Sequence, residues 1–277
     1  MKNEKRNFAA EITTFSNGLY QESIMKRAVA RGGHCPNLKG HINEIMTVDK
    51  LNTNLHNIIN GKKAYLTKST TAMRDDIIVK KSGKVVERYQ LKDTPKGIHN
   101  TIRKVEQHQY KGTNLMGTKE TVAAYNNAIQ KANAKGKKIS QKMTSNGISS
   151  EKTELLSAQV LGGSISQNLK CIGKAAHKTG TMSAALGGGI EAIKDISAVY
   201  HKEEHLSEAV TNTAKEAGIS YASAAIGEAT NIIVTIGVAA TPANAFAKPA
   251  GNISGTAMTC LSYKGLKKIS QKSKPDI

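Results

Sequence analysis

The chain has 277 residues, enough for one or two domains with buried cores. It has no Trp and only 4% aromatic residues, so any core must be built from aliphatic side chains. The formal charge of +19 is uneven: residues 1–150 carry 27 Lys/Arg against 11 Asp/Glu (+16), and residues 151–277 carry 13 against 10 (+3). Such segregation argues against a generic solubility charge and for a polyanion-binding half, facing nucleic acid or anionic lipid. Cys35, Cys171 and Cys260 form no CxxC or other metal-type spacing, and an odd count suits a reducing compartment better than a disulfide framework. The N-terminus lacks the apolar run of a secretory signal, so a cytoplasmic location is expected, with membrane association through the C-terminal helices as the alternative.

Residues 1–37 read as a mixed leader with a helix over NGLYQESIMKRAVA, broken by RGGHCPN. From Gly40 the apolar spacing (Ile42, Ile45, Met46, Leu51, Leu55, Ile58, Ile59) predicts a helix ending at Gly61. Strands are expected over 63–69, 76–80 and 84–92, the last two separated by the turn signal KSG. A helix follows Pro95, then a short strand over 113–117, then a helix beginning TKETVAAY. The order is helix, three strands, helix, strand, helix, an α/β domain expected over residues 38–137. The Ser-rich, basic stretch 138–153 is expected to be a linker to an all-α, Ala/Gly-rich module over 154–277.

The chemistry concentrates in RDDIIVKKSGKVVERYQLK, residues 74–92. A turn centred on Gly83 would set Asp76 opposite Gln90, with paired Cβ atoms about 5 Å apart. Lys92 shares the strand face of Gln90. An acid, an amide oxygen and an ammonium would then converge, the first two suited to a divalent cation and the third to a phosphate or its attacking water.

This run resembles the PD-(D/E)xK superfamily of restriction-endonuclease-like nucleases, in the variant with Gln for the second acid. Asp76 and Gln90-Leu91-Lys92 match its spacing, KGHINEI offers Glu44 on the first helix, and the expected αβββαβ order agrees. YKGTNLMGTKE (110–120) is similar to the strand after the crossover helix in bacterial toxin-type and mobile-element nuclease domains. The resemblance covers 80 to 90 residues, roughly a third of the chain. It implies that Asp76 and Gln90 bind Mg2+ or Mn2+, that Glu44 binds it directly or through water, and that Lys92 assists the attacking water. Gln90 departs from the acidic norm and is a weaker, uncharged ligand. The implied activity is metal-dependent hydrolysis of nucleic acid, DNA ahead of RNA. The implied setting is bacterial conflict, with an inhibitor or immunity protein as partner.

Other signals are weaker. His34, Cys35 and His41 lack a fourth ligand at standard spacing. HKEEH (201–205) is not HExxH, and Gly187–Gly189 lacks a following Lys-Ser/Thr. Tyr89 and Tyr110 are candidates for base stacking, with packing as the simpler role. In the C-terminal half, 183–193 and 223–233 align at an offset of 40 residues, and Ala184, Gly188, Ala192 and the pair Gly251, Gly255 are four apart. That spacing lets helices approach closely. Segment 229–247 has about the length of a membrane span. Two rivals to the nuclease therefore stand: a membrane-perturbing protein with a basic lipid-docking half, and a nucleic-acid adaptor that does not cut. Self-association through the C-terminal helices is a further expectation.

Overall fold

The computed structural model describes residues 8–69, 74–162, 165–200, 205–241 and 247–272. The chain divides into an α/β unit, residues 23–157, and a helical unit formed by residues 1–22 and 158–277. Helix α1 (Phe8–Gly32) contributes to both.

The α/β unit is organised by two apolar faces of one sheet. Strands β1 (Lys62–Leu66), β2 (Ile77–Lys81), β3 (Lys84–Lys92), β4 (Asn114–Gly117) and β5 (Met143–Ser145) lie in sequential order. β2 is antiparallel to β1 and β3, whereas β4 runs parallel to β3 and β5 parallel to β4. Side chains alternate along a strand. Ala64, Ile77, Val79 and Leu91 therefore gather on one face with Val48 and Leu51 of α2 (Leu38–Asn52). Leu115 and Met143 gather with Ile98, Ile102 and Val105 of α4 (Ile98–Glu106) and Tyr125 of α5 (Lys119–Ala134). The parallel pair β3–β4 needs a crossover, and α4 supplies it.

Three expectations are corrected here. The segment 138–153, expected as a linker, supplies β5 and belongs to the α/β unit. Its Asn146 is buried and donates its amide to Asn43 Oδ1 (2.8 Å) and Thr47 Oγ1 (2.9 Å) of α2. Polar residues that look solvated in sequence are here partners for buried groups. The leader is not separate either: Ile24, Met25 and Ala28 of α1 are buried, and residues 23–32 belong to the α/β unit. The helix expected from Gly40 to Gly61 breaks at Thr53 into α2 and α3 (Leu55–Ile59). Asn52, the last residue of α2, holds β1, accepting from Ala64 N (2.7 Å) and donating to Ala64 O (3.1 Å), and Asn54 caps the new helix.

The helical unit contains the end of α6 (Ser150–Leu161), then α7 (Ile165–Tyr200), α8 (Leu206–Ala239) and α9 (Ala247–Lys272). α8 packs against both α7 and α9. Gly180 lies against Tyr221 and Gly188 against Ala217, so α7 and α8 run antiparallel. Contact between α8 and α9 is closer still. A Cβ on Gly251 would fall 2.6 Å from Asn231 O, and one on Gly227 would fall 2.7 Å from Gly255 O. Only glycine permits that approach. Segment 229–247 is not one span: α8 ends at Ala239, α9 begins at Ala247, and residues 242–246 lie outside the described residues.

Candidate functional site

The hairpin between β2 and β3 turns through Ser82 (φ 49°) and Gly83 (φ 79°), the paired left-handed conformations of a two-residue type I′ turn. Such a turn with an unbroken register would pair Asp76 with Tyr89, one residue short of Gln90. Next to the turn the pairs are Lys81↔Lys84 and Lys80↔Val85; beyond a bulge they become Val79↔Glu87, Ile78↔Arg88 and Ile77↔Tyr89. The bulge inserts one residue into β3 and brings Asp76 opposite Gln90.

Asp76 sits at the start of β2, its N–H donating to Tyr89 O (2.8 Å). Its Oδ2 accepts from Gln90 Nε2 (2.5 Å) and from the Leu91 N–H (2.7 Å). Burial pushes this carboxyl up to about 6, and the negative charge of Glu44 adds to the rise. The Leu91 N–H, Lys92 and Arg31 oppose it. Gln90 is 4% exposed, and its Oε1 is buried with no hydrogen-bond partner.

Burial pulls the Lys92 ammonium below the ordinary lysine value, and Lys104 of α4 pulls it the same way. Asp76 and Glu44 oppose this. Lys92 Nζ lies 5.2 Å from the centroid of the Tyr110 ring, a cation–π contact that holds the stem against the core. Glu44, on α2, accepts from Arg31 Nε (2.9 Å) and lies 3.6 Å from His41 Nδ1. Arg31 also donates from Nη1 to Thr67 O (2.8 Å), tying the end of α1 to the segment after β1.

Glu44, Asp76, Gln90 and Lys92 thus form one electrostatically coupled group. Sequence reasoning missed Arg31, Lys104 and the Leu91 backbone N–H. The only signal for Arg31 was the four-residue spacing Ile24–Ala28, which marks α1 as a packed helix. Asp75 is separate, engaged by Arg88 Nη1 (2.5 Å) and Thr113 Oγ1 (2.7 Å). Tyr110 is 1% exposed and Tyr89 is half-buried with its hydroxyl on Glu87, so Tyr110 serves packing rather than stacking. His41 contacts Glu44 and the end of α1 at Gly32, not a metal-type cluster. His201 lies outside the described residues.

The residues present fit a divalent cation on their chemistry. Two carboxylates and an amide are hard oxygen donors. A carboxyl raised chiefly by burial, with its acidic neighbour adding to the rise, and an orphaned amide oxygen are both relieved by positive charge. Among the described residues no group of three or more His, Cys, Asp or Glu forms a metal centre, so a cation would depend on this smaller set completed by water or substrate oxygens. Comparison with known proteins finds no family model, curated protein or solved structure that matches this chain.

Proposed function

We propose that the α/β unit is a divalent-metal-dependent nuclease of the PD-(D/E)xK type in its Gln variant, acting on phosphodiester bonds of nucleic acid. The observation that carries this reading is the coupling of Asp76, Glu44, Gln90 and Lys92 in one partly buried group. Support also comes from charge: residues 23–157 hold 25 Lys/Arg against 10 Asp/Glu, a net of +15, in the same unit as the site.

Asp76, Glu44 and Gln90 would hold Mg2+ or Mn2+, which when bound supplies Lewis acidity at a phosphate oxygen and a more acidic water. Asp76 must be ionised for this role. Lys92 donates to a non-bridging phosphate oxygen or to the attacking water, where developing negative charge is stabilised. Its position over Tyr110 fixes the direction of approach. Lys104 adds a second cation for the phosphate backbone. Arg31 positions Glu44 rather than touching substrate. A role in bacterial conflict, with DNA as the first substrate and an inhibitor as partner, belongs to the same proposal.

The test is cleavage of plasmid DNA and of a structured RNA by the full chain in Mg2+ or Mn2+. Lys92→Ala and Asp76→Asn should each lower the rate by about 10²–10⁴-fold with the melting transition retained. Parental rates in both variants would remove the site. Salt-dependent binding with no cleavage in any metal would leave a nucleic-acid adaptor.

A further inference from the structure

The helical unit has an interior that mixes aliphatic residues, such as Ile219, Ile232 and Ile236, with many small polar ones. Its buried positions include Ser183, Ser220, Ser223, Glu228, Asn231, Thr235 and Thr259. Its exposed positions include Ile233, Ile253 at 72% and Leu261 at 62%. Scattered aliphatics on a surface are ordinary, but an interior this polar beneath them is not.

The hairpin of α8 and α9 carries little charge. Between residues 218 and 263 the sequence holds only two charged side chains, Glu228 and Lys248. Both are turned inward, at 0% and 7% exposure. Glu228 accepts from Gln21 (2.9 Å), and Lys248 donates to Asn231 Oδ1 (2.9 Å). Asn231 in turn donates to Asn252 Oδ1 (3.1 Å), joining the two helices. Lys248 is thus held by an amide oxygen, whereas Glu228 has one oxygen on Gln21 of α1 and its Oε2 buried without a hydrogen-bond partner. Charges turned inward suit an apolar exterior environment. The helices meet through glycine backbones at Gly227, Gly251 and Gly255, the packing that works without a hydrophobic driving force.

Charge returns at the base of the hairpin. Lys215 on α8 and Lys264 and Lys268 on α9 are exposed there, and Lys267 pairs with Glu216 (2.6 Å). The residues from Ser207 to Ala239 form a helix long and apolar enough to cross a membrane, and only half of its apolar window is buried. At 1.5 Å per residue it exceeds a hydrocarbon core of about 30 Å. A cationic base beneath an uncharged hairpin matches an anionic headgroup layer beneath hydrocarbon.

We infer that the α8–α9 hairpin inserts its aliphatic face into an anionic lipid bilayer, with Lys215, Lys264 and Lys268 at the headgroups and the Glu228–Lys248 pair kept inside. This goes beyond the nuclease reading and does not depend on it.

The test uses the full chain and unilamellar vesicles of phosphatidylcholine and phosphatidylglycerol, 3:1. Single-cysteine variants Ile233→Cys and Ile253→Cys, with the native cysteines replaced by serine, carry an environment-sensitive fluorophore; Lys174→Cys on the exposed side of α7 is the control. Vesicles should shift emission to the blue at 233 and 253, with quenching by spin-labelled acyl chains, and leave 174 unchanged. Flotation of the unlabelled parent should survive 1 M salt, and Ile233→Asp with Ile253→Asp should cut the floated fraction at least about tenfold. Unshifted emission at both sites together with loss of flotation in salt would overturn insertion and leave surface adsorption. A blue shift that grows with protein concentration and needs no vesicles would overturn it in favour of self-association. If the cysteine-free background does not fold, the flotation comparison alone decides.

Discussion

Asp76 carries a largely buried carboxyl at the start of β2. It ionises at about 6, against an ordinary 3.8, chiefly because burial removes water from the charged form, with Glu44 adding repulsion. The unfolded chain loses this proton near the ordinary value and the folded chain near 6. Between the two the folded state holds more protons, so stability falls as pH rises through that window and stays reduced above it. The interval corresponds to roughly 2–3 kcal/mol. Asp76→Asn keeps an oxygen for Gln90 Nε2 and the Leu91 N–H while removing the charge. It should melt at the parent's temperature near pH 4 and several degrees higher at pH 8, as read by calorimetry across that range. Millimolar Mg2+ should raise the parent's melting temperature at pH 8, because binding favours the folded, ionised form, and should not raise that of Asp76→Asn. A difference between the two proteins that does not vary with pH would mean that Asp76 is not desolvated.

At the scale of elements, the pairing of Asp76 with Gln90 was legible but for an incomplete reason. Alternation and the KSG signal located the hairpin, and a turn centred on Gly83 gave the observed partner. The structure reaches it by a Ser82–Gly83 turn corrected by a bulge where the register shifts between Val79 and Lys80, which no residue type announces. What was not legible has a common cause. β5 has three residues, and its docking depends on Asn146 reaching Thr47 of α2, 99 residues away in sequence. Arg31 reaches Glu44 and Thr67 from a helix read as a leader. Local periodicity carries no information about such long-range polar contacts. The turn itself permits a test. Ser82 takes a left-handed φ of 49°, which asparagine tolerates better, and Asn-Gly is the favoured type I′ pair. Ser82→Asn should stabilise the chain by about 0.5–1 kcal/mol with cleavage unchanged. A loss of stability in urea unfolding would show that the turn is not of this type.

For the whole molecule, charge separates two environments. The α/β unit carries a net +15, and the helical unit, with 15 Lys/Arg against 11 Asp/Glu, only +4. Under the two proposals the units would take different partners by different forces: counterion release in the first, transfer of apolar surface in the second. The forces respond oppositely to salt, which weakens phosphate contacts and leaves apolar transfer intact or strengthened. Asp76→Asn, which should bind without cutting, allows the first to be measured in the full chain. Its affinity for a fluorescent duplex should fall by about 10³ or more between 50 and 200 mM KCl if six or more phosphates are contacted. A duplex affinity that barely changes over this range would mean that the lysines and arginines of residues 23–157 do not form a phosphate-binding surface, and the nucleic-acid reading would lose its electrostatic basis whatever the geometry at Asp76.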